Sequence, residues 1–542
     1  MDVYYAAQVA AQYRETFGKD VFIELWGYRR HGHNEVDEPR MTNVNLYQNV
    51  DLHAPVVDLF LREVGEKSLA DKLMAEKEKI VAKMKNISRL STTKESQVDA
   101  KTTHSSAGAW RDFRAHHLSK SMSQSGVTLS QLKEALEILV SIPDGFSIHP
   151  LVRRTISRRA DLLSKSNEGK DLWASPPRID WATAELLALS TLALNGGLVR
   201  LCGQDSQRGT FGQRQAVWHN IETGEVHHPM PKGMQVVDSP LSELGVVGFE
   251  HGISLANPNI MTLWEAQFGD FSNNAQTLFD TMICSEKEKF GLDSNLVLLL
   301  PHGYDGMGPE HSSCRLERFL TLHTDTPEKA ATEKGIDRHK YTNFVVAYPS
   351  TPASYFHLLR RSFFWPFRRP LIVATPKRTL RLPQASSPLE EFLVGQNEER
   401  KFRPVLDDPR HLDSDKVQSI ALCSGEIFYD LLNEFKSVPL EVSNSVAIIR
   451  LEELAPFPSE QLREIVKRYS FAQRMIHVQE EPFNMGSWRF VAPFLSALSC
   501  MPNQEPPIAR PTAAAPAVGD PEDHKKSQSD LLERFRNWVR QV

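Results

Sequence analysis

The alternation of apolar and polar positions predicts helices and strands in turn along most of the 542-residue chain. Apolar residues recur at helical spacing over residues 1–17, and the run VFIELWGY that follows predicts a strand over residues 20–27. A helix joined to a single strand is half of the unit from which parallel sheets are built, so it needs partners elsewhere. Two further helices are predicted, a charged one from about Leu59 to Met84 and another in the sequence LSQLKEALEILVSI.

A regular α/β pattern begins at Ile179. Asp180 is placed to cap the helix WATAELLALSTLALN at its N-terminus, and Gly196 with Gly197 predicts its end. Five strand-like runs follow with helical segments between them: LVRLCG, IMTLWEAQF, LVLLLPHG, NFVVAYPS and PLIVATP. Such continuous apolar strands are typical of a largely parallel sheet that is covered on both faces. After Val417 the runs SIALCSG, SVAIIRLEEL and RMIHVQEE predict a smaller α/β domain, which a terminal helix completes.

The predicted elements divide the chain into four parts. They are an αβ segment at 1–45, a helical segment at 46–175, a large α/β domain at 176–395 and a smaller α/β domain at 396–542. Within the second part, residues 91–127 are rich in Ser, Thr, Lys and His, which predicts a mobile linker or surface loop.

Composition excludes several classes of function. Hydrophobic residues make up 41% and charged residues 24% of the chain, the balance of a globular protein, and no apolar run approaches the ~20 residues of a membrane-spanning helix. The net charge of −5 gives no reason to expect binding to nucleic acid or to a membrane surface. The five cysteines are scattered without CxxC spacing, which favours a reducing compartment over a disulfide framework or a Cys-rich zinc site.

Candidate chemical groups follow the strands of the large α/β domain, where open sheets of this kind bind ligands. Glu265 lies in an apolar strand, so it either pairs with a partner or is held for use. His302 and His311 share a glycine-rich loop, which indicates proton transfer. Glu243 opens an apolar helix, where the simpler interpretation is an acid that interacts with the helix dipole, an effect worth ~0.5 kcal/mol.

Near the N-terminus, YRRHGHNEVDEP (Tyr28 to Pro39) places two histidines on either side of a glycine. The motif indicates a metal site, but its spacing fixes no third ligand, and the acids that follow serve equally well to cap or solvate a loop.

Seven longer blocks carry a resemblance to a known family. They are RLCGQDSQRGTFGQR, SPLSELGVVGFEHG, LWEAQFGDFSNNAQ, LLLPHGYDGMGPEHSSCRLERF, PLIVATPKRTLRLP, IIRLEELAPFP and VQEEPFNMGSW. Together they resemble the thiamine-diphosphate-dependent dehydrogenase component of 2-oxo acid dehydrogenase complexes, in the 2-oxoglutarate/2-oxoadipate branch. The resemblance implies a transketolase-like, multi-domain α/β fold with doubly wound, mostly parallel sheets. Its parts would be an incomplete diphosphate-binding domain at 1–45, a pyrimidine-binding domain and a C-terminal domain.

The resemblance also implies roles for single residues. Glu243 matches the glutamate that hydrogen-bonds the aminopyrimidine of thiamine diphosphate and so activates it. Phe268 and Phe271 match the aromatic segment that packs against the pyrimidine, and Gln267 flanks it with a less defined role. Two active-site histidines that act on the substrate carbonyl and in acyl transfer to lipoamide are matched by His302 and His311.

The resemblance further implies that substrate preference depends on Asp305 and its neighbour Tyr304. Relatives that act on 2-oxoglutarate usually carry Glu at the position of Asp305, and the shorter acid leaves about one methylene of space for the longer 2-oxoadipate. A single methylene typically discriminates by only ~1–3 kcal/mol, so overlap with 2-oxoglutarate is expected. The implied enzyme therefore belongs to lysine and tryptophan breakdown, with the 2-oxoglutarate enzyme of the citric acid cycle as the alternative.

The Mg²⁺ and diphosphate ligands of this family are expected upstream of Met1, so the resemblance places the metal ligands outside this chain. His33 matches a histidine that reaches the diphosphate, whereas Glu426 stands where a lysine is usual. We therefore keep two readings: an enzyme that works as a homodimer, and a non-catalytic form that acts only through association with other subunits. The implied partners are a lipoyl-bearing acyltransferase core and dihydrolipoyl dehydrogenase, in the mitochondrial matrix, although the chain begins with no transit peptide.

Overall fold

The computed structural model describes residues 2–31, 44–64, 67–92, 110, 113, 125–167, 176–332, 335, 337–395, 401–498 and 501–541. These residues form two compact units, Met1–Asp99 and Ala100–Val542. His33 and most of the predicted linker lie outside the described residues. Within the described part of the chain, no helix is both long enough and apolar enough to cross a membrane.

The first unit contains four helices in its described part. They are α1 (Asp2–Phe17), α2 (Val44–Leu52), α3 (Val56–Val64) and α4 (Lys67–Thr92). The predicted helix over 1–17 is confirmed, and the predicted charged helix corresponds to α3 and α4. The strand predicted over residues 20–27 is wrong, because this segment forms no strand, and its side chains of Phe22 and Trp26 are 95% and 86% exposed. A strand needs a hydrogen-bonded neighbour, and the described residues of this unit include no second strand.

The second unit is an α/β assembly. Its helices are α5 (Leu129–Val140), α6 (Pro150–Asn167), α7 (Trp181–Leu194), α8 (Glu243–Ala256), α9 (Gln276–Leu278), α10 (Glu286–Phe290), α11 (Leu316–Leu322), α12 (Pro327–Thr332), α13 (Pro352–Phe364), α14 (Ile427–Glu434), α15 (Leu440–Asn444), α16 (Ser459–Arg468), α17 (Trp488–Ala497) and α18 (Pro521–Val539). Its strands are β1 (Arg178–Ile179), β2 (Leu198–Gly203), β3 (Trp218–His219), β4 (Val226–His227), β5 (Met234–Asp238), β6 (Ile260–Glu265), β7 (Leu296–Pro301), β8 (Val345–Ala347), β9 (Leu371–Thr375), β10 (Ser387–Pro388), β11 (Val405–Leu406), β12 (Ser419–Cys423), β13 (Val446–Leu451), β14 (Glu453–Ala455), β15 (Arg474–Pro482), β16 (Asn503–Gln504) and β17 (Ile508–Arg510).

The larger sheet has seven strands in the order β14-β8-β9-β7-β6-β2-β5. All neighbouring pairs are parallel except β14 with β8, which confirms the predicted, largely parallel sheet and its five strands. Sequence reasoning missed the two edge strands, β5 and β14. The second of these comes from the segment assigned to the C-terminal domain, so that segment completes the larger sheet.

The smaller sheet has the order β11-β13-β12-β15-β16, and β17 also pairs with β15. Strand β12 runs parallel to both β13 and β15, which confirms the three predicted strands of this region. The predicted terminal helix is confirmed as α18, which buries Leu531, Phe535, Trp538 and Val539.

The larger sheet packs on both faces, because alternate residues of its strands point to opposite sides. In β7, Val297 and Leu299 belong to the core that also contains α7 and α13 residues, whereas Leu298 and Leu300 belong to a second core. This second core includes Ile420 from β12, so the two sheets share one continuous apolar interior.

Two local predictions have different outcomes. Asp180 caps α7 by accepting a hydrogen bond from the Thr183 amide over 2.8 Å, as predicted. Within the predicted mobile linker, the described residues Trp110 and Phe113 are buried, and the Trp110 indole donates to the Leu255 carbonyl over 2.6 Å. The prediction is wrong at these two aromatic residues. Both side chains are buried because moving a large aromatic ring out of water stabilises the folded state.

Candidate active site

The carboxyl ends of β2, β6, β7 and β9 lie side by side, and the loops that follow them form the candidate active site. Gly269 shows how closely these loops approach one another. A Cβ atom at this position would lie 2.4 Å from the Pro301 carbonyl oxygen and 2.6 Å from the Cys314 Cβ. Only glycine fits there, so the loops after β6 and β7 pack directly against each other.

Four rings from three loops meet at this edge: Phe211, Phe268, Phe271 and His311, here called the aromatic cluster. The Phe268 ring lies 4.5 Å from the His311 ring and 5.5 Å from the Phe211 ring, and Phe271 lies 5.6 Å from His311, measured between ring centroids. The pairs are edge-to-face, the arrangement that aromatic quadrupoles favour. Phe268, Phe271 and His311 all remain partly exposed, so the cluster offers ring surface to a ligand.

Glu243 is the first residue of α8, which begins after Ser242. Its Oε2 accepts a hydrogen bond of 3.2 Å from the Asn274 side chain, which lies in a 3₁₀ helix (Gly269–Ala275) together with Phe271. The carboxyl group is thereby tied to the aromatic cluster. In the single chain Glu243 is only partly buried, and the adjacent Leu244 is 47% exposed.

His302 is fully buried at the end of β7. Its Nε2 lies 3.0 Å from Glu481 Oε1, and its Nδ1 lies 3.0 Å from the backbone nitrogen of Cys314. The Cys314 amide can only donate, so Nδ1 accepts and the proton of the neutral ring sits on Nε2, from which it is donated to Glu481. Both ring nitrogens of His302 are therefore engaged, whereas His311 stays partly exposed within the aromatic cluster.

Tyr304 and Asp305 follow His302 in the same loop. The Tyr304 amide donates to Glu480 Oε2 over 3.2 Å, and burial raises the pKa of its phenol well above the usual value. Asp305 lies 3.5 Å from Lys377 Nζ and 3.7 Å from Arg378 Nε. Both cations follow β9, so the predicted specificity residues face positive charge at the strand ends.

Lys377 connects two of the predicted site residues. Besides contacting Asp305, its Nζ donates to the His311 carbonyl oxygen over 2.5 Å and is almost fully buried. Sequence reasoning missed it, although its position directly after the buried strand PLIVATP was an available signal. Glu480 and Glu481 were missed for another reason, since they come from β15, far away in sequence.

The two residues that flank the aromatic segment differ in their surroundings. Asp270 is buried and its Oδ2 accepts a hydrogen bond of 3.0 Å from the Ser313 amide. Burial raises the pKa of Asp270, and the amides of Ser313 and Ser312 oppose this. Gln267 is partly buried at the end of β6, which places it beside the aromatic cluster without assigning it a role.

The buried Glu265 pairs with a partner, which decides between the two interpretations of this carboxyl. Arg214 donates to both of its oxygens, over 2.8 and 2.5 Å, and also to Glu185 over 2.6 Å. Tyr355 donates to the other oxygen of Glu185. This network anchors the loop after β2, which carries Phe211 to the aromatic cluster.

The motif near the N-terminus can be followed only in part. His31 is exposed, and His33 lies outside the described residues. Among the residues that the structure describes, no group of three or more His, Cys, Asp or Glu side chains could hold a metal ion.

Comparison with known families and proteins shows to which family the chain belongs. Residues 177–383 match the pyrimidine-binding domain of transketolase, residues 386–535 match the C-terminal domain of 2-oxoglutarate dehydrogenase, and residues 1–98 match the dehydrogenase E1 component. The mouse 2-oxoadipate dehydrogenase complex component E1 is 39% identical over 98% of this chain and 56% of its own length. The chain belongs to the E1 component family of thiamine-dependent 2-oxo acid dehydrogenases.

Other E1 relatives come from distant organisms. The 2-oxoglutarate dehydrogenase, mitochondrial, of Dictyostelium discoideum is 35% identical over 97% of this chain and 52% of its own length. The 2-oxoglutarate dehydrogenase E1 component of Geobacillus kaustophilus is 38% identical over 97% of this chain and 52% of its own length. The chain spans about half the length of the curated E1 relatives it matches. The match to the transketolase pyrimidine-binding domain agrees with the predicted transketolase-like α/β fold.

Proposed function

We propose that this chain provides the pyrimidine-binding and C-terminal parts of a decarboxylating dehydrogenase that acts on 2-oxoadipate and also on 2-oxoglutarate. The product acyl group would pass to a lipoyl group of a partner acyltransferase. The observation that carries this proposal is the hydrogen bond from Asn274 to Glu243, which fixes a carboxyl group beside the aromatic cluster. Names of the mouse and Dictyostelium relatives support the two substrates.

Thiamine diphosphate is the proposed cofactor, and the described residues fit its aminopyrimidine half. Glu243 would hydrogen-bond the aminopyrimidine, and Phe268 and Phe271 would pack against the ring, with Gln267 at the rim. When bound, the cofactor supplies a carbon nucleophile and holds the electrons released on loss of CO₂. For the other half, His33 would reach the diphosphate, and we assign Mg²⁺ no ligand in the described part of the chain.

The substrate would bind between the aromatic cluster and the loop that follows β7. Lys377 and Arg378 supply positive charge for a dicarboxylate, and Asp305 with Tyr304 would set how long a chain fits between them. His311 would contact the reacting end, because its partly exposed ring lies within the aromatic cluster. His302 would act next to it through Glu481, which it orients.

Assembly into a homodimer is part of the proposal. On α8, Leu244 and Phe249 are 47% and 56% exposed in the single chain, and Gly252 has open space around it. A helix face of exposed apolar and small residues is suited to packing against a second copy. Burial there would also shield Glu243 from water. A lipoyl-bearing acyltransferase core, dihydrolipoyl dehydrogenase and a mitochondrial matrix location complete the proposal, by likeness to the relatives.

A non-catalytic subunit is the second candidate. The observation that favours it is the exposed apolar face of α8, with Leu244 and Phe249 47% and 56% exposed in the single chain. Such a chain would associate with other subunits through this face without turning over substrate.

The deciding experiment measures CO₂ release from 2-oxoadipate and from 2-oxoglutarate by the full chain with thiamine diphosphate and Mg²⁺. We expect Glu243→Gln to abolish turnover while circular dichroism stays unchanged. Glu225→Gln, an exposed glutamate in a loop, is the matched control and should remain active. Turnover retained by Glu243→Gln would refute the assigned role, and a wild-type chain that is folded but inactive would favour the non-catalytic subunit.

A further inference from the structure

Glu426 is a buried acid that the proposed reaction does not use. It directly precedes α14 at the carboxyl end of β12, and only 3% of its surface is exposed. Neither of its carboxyl oxygens accepts a hydrogen bond from any described residue. An ionised carboxylate buried without donors is strongly unfavourable, so the surroundings of Glu426 must satisfy it in another way.

Two other acids interact with Glu426. Asp305 from the loop after β7 lies within hydrogen-bonding reach of Glu426, and Glu480 from β15 also faces it. Glu480 is well supplied with donors, from the Tyr348 hydroxyl over 2.9 Å and the Tyr304 amide over 3.2 Å. Asp305 is not, since its buried Oδ1 has no hydrogen-bond donor among the described residues.

The cations around this group donate their hydrogen bonds elsewhere, although Lys377 and Arg378 also lie 3.5 and 3.7 Å from Asp305. Arg378 makes two hydrogen bonds of 2.9 and 3.0 Å to Asp430, and Lys377 donates to the His311 carbonyl oxygen. Arg510 donates to the Glu480 carbonyl oxygen and to Ser527 and Gln528 of α18. Other titratable groups that face these three acids are His302, Tyr304, Tyr348, Glu481 and His524.

We propose that Glu426 is protonated at neutral pH and donates a hydrogen bond to Asp305. It would thereby act as a positioning residue for the loop after β7 that carries Tyr304 and Asp305, here called the specificity loop. One shared proton pairs Asp305 Oδ1 with one of the two unpaired Glu426 oxygens, and it removes the repulsion between two adjacent acids. The contact also links α14 of the smaller α/β layer to the loop that would read the substrate's length. The effect of this contact on catalysis rests on the proposed function, whereas the proton shared by Glu426 and Asp305 does not depend on it.

The electrostatics agree with this geometry. Burial raises the pKa of Glu426 well above its usual value, Glu480 and Asp305 raise it further, and Arg378 opposes them. A carboxyl group whose pKa is higher in the folded state contributes most to stability at low pH. Its contribution is lost as the pH rises from the unfolded value of about 4 to the folded value.

Two measurements on the full chain test the proton directly and need no activity. Glu426→Gln keeps a donor for Asp305 but cannot titrate, and Glu434→Gln, an ion-paired glutamate of α14, is the matched control. We expect an infrared carbonyl band of a protonated carboxylic acid that persists at neutral pH and is lost only in Glu426→Gln. We also expect the wild-type melting temperature to fall more steeply with rising pH than that of Glu426→Gln. An unchanged band, or equal pH profiles, would overturn the proposal.

A third measurement tests the positioning role through the pH profile of KM for 2-oxoadipate. We expect the wild-type KM to rise by up to about tenfold per pH unit once Glu426 ionises. The KM of Glu426→Gln should stay flat, with kcat little changed. A parallel rise in both proteins would refute the positioning role. If neither protein turns over substrate, the proposed function fails, and the infrared and melting data still decide the shared proton.

Discussion

Asn274 donates a hydrogen bond of 3.2 Å to Glu243, and this contact joins the start of α8 to the segment that carries the aromatic cluster. The two residues lie 31 positions apart in the sequence, with Glu243 before β6 and Asn274 after it. The bond is exposed at the surface of the single chain, so its worth is that of an ordinary hydrogen bond, about 1 kcal/mol. It nevertheless sets the direction in which the Glu243 carboxyl points.

Replacing Asn274 by Ala should weaken thiamine diphosphate binding up to about fivefold, because a net hydrogen bond is worth about 1 kcal/mol. Isothermal titration calorimetry of the full chain measures this effect. Asn273→Ala, the exposed neighbour in the same 3₁₀ helix, is the control and should bind like the wild type. Equal weakening by both variants would show that the segment, and not the Asn274 contact, is responsible.

Asp305→Glu should shift substrate preference from 2-oxoadipate towards 2-oxoglutarate. The added methylene occupies the space of one substrate methylene, which is worth ~1–3 kcal/mol in the ratio of kcat/KM values. Competition between the two acids in one assay gives this ratio. Glu310→Asp changes an exposed acid of the same loop and should leave the preference as it is. An unchanged ratio in Asp305→Glu would remove Asp305 from the specificity site.

Glu453 should make folding of the second unit sensitive to acid. Burial alone raises the pKa of this carboxyl, but Arg361 and His339, whose Nε2 lies 2.7 Å away, lower the pKa to about 2. A group with a depressed pKa contributes stability above its unfolded value of about 4, and loses it as the pH falls towards 2. The contribution at neutral pH is therefore on the order of 3 kcal/mol.

Urea unfolding of wild type and Glu453→Gln across this range measures the effect. We expect the two free energies of unfolding to differ at neutral pH and to converge in acid. Glu464→Gln, an exposed glutamate of α16, should follow the wild type throughout. A difference that does not depend on pH would mean that Glu453 acts through packing and not through its charge.

Phe249→Glu should weaken self-association, because a charge on the exposed apolar face of α8 would lose its hydration when a dimer buries it. Sedimentation velocity at several concentrations gives the dimer fraction. Phe290→Glu places the same charge on another exposed ring, 46% accessible and in α10, and should leave association intact. A wild-type chain that stays monomeric at every concentration would contradict the proposed homodimer.

Local signals predicted much of this molecule. The capping of α7 by Asp180, the apolar face of α5 and the five central strands follow from patterns within about fifteen residues. The edge strand β14 escaped prediction, because only its pairing with β8 makes it a strand. For residues 20–27 the error is the reverse: a strand is predicted but none forms, because a strand-like sequence without a neighbouring strand makes no sheet.

The residues of the candidate site also fall into those that local sequence signals predict and those that they do not. Glu243, Phe268 and His311 come together as their sequence blocks suggested, since each follows or borders a strand of one sheet. Glu480 and Glu426 carry no local signal for an interaction with the loop of Tyr304 and Asp305, and Lys377 carries only its position directly after a buried strand. Their roles depend on the packing of the two α/β layers, which no pattern within one segment records.

Strand β14 also bears on how the chain is synthesised. The larger sheet receives this edge strand only after translation has passed Ala455, although its other strands are complete by Thr375. Until then the nascent chain displays β8 as an open edge, and such edges recruit other strands. Ribosome-bound chains that end between these two positions should therefore be the species most dependent on chaperones, and the most prone to aggregate when synthesis stalls.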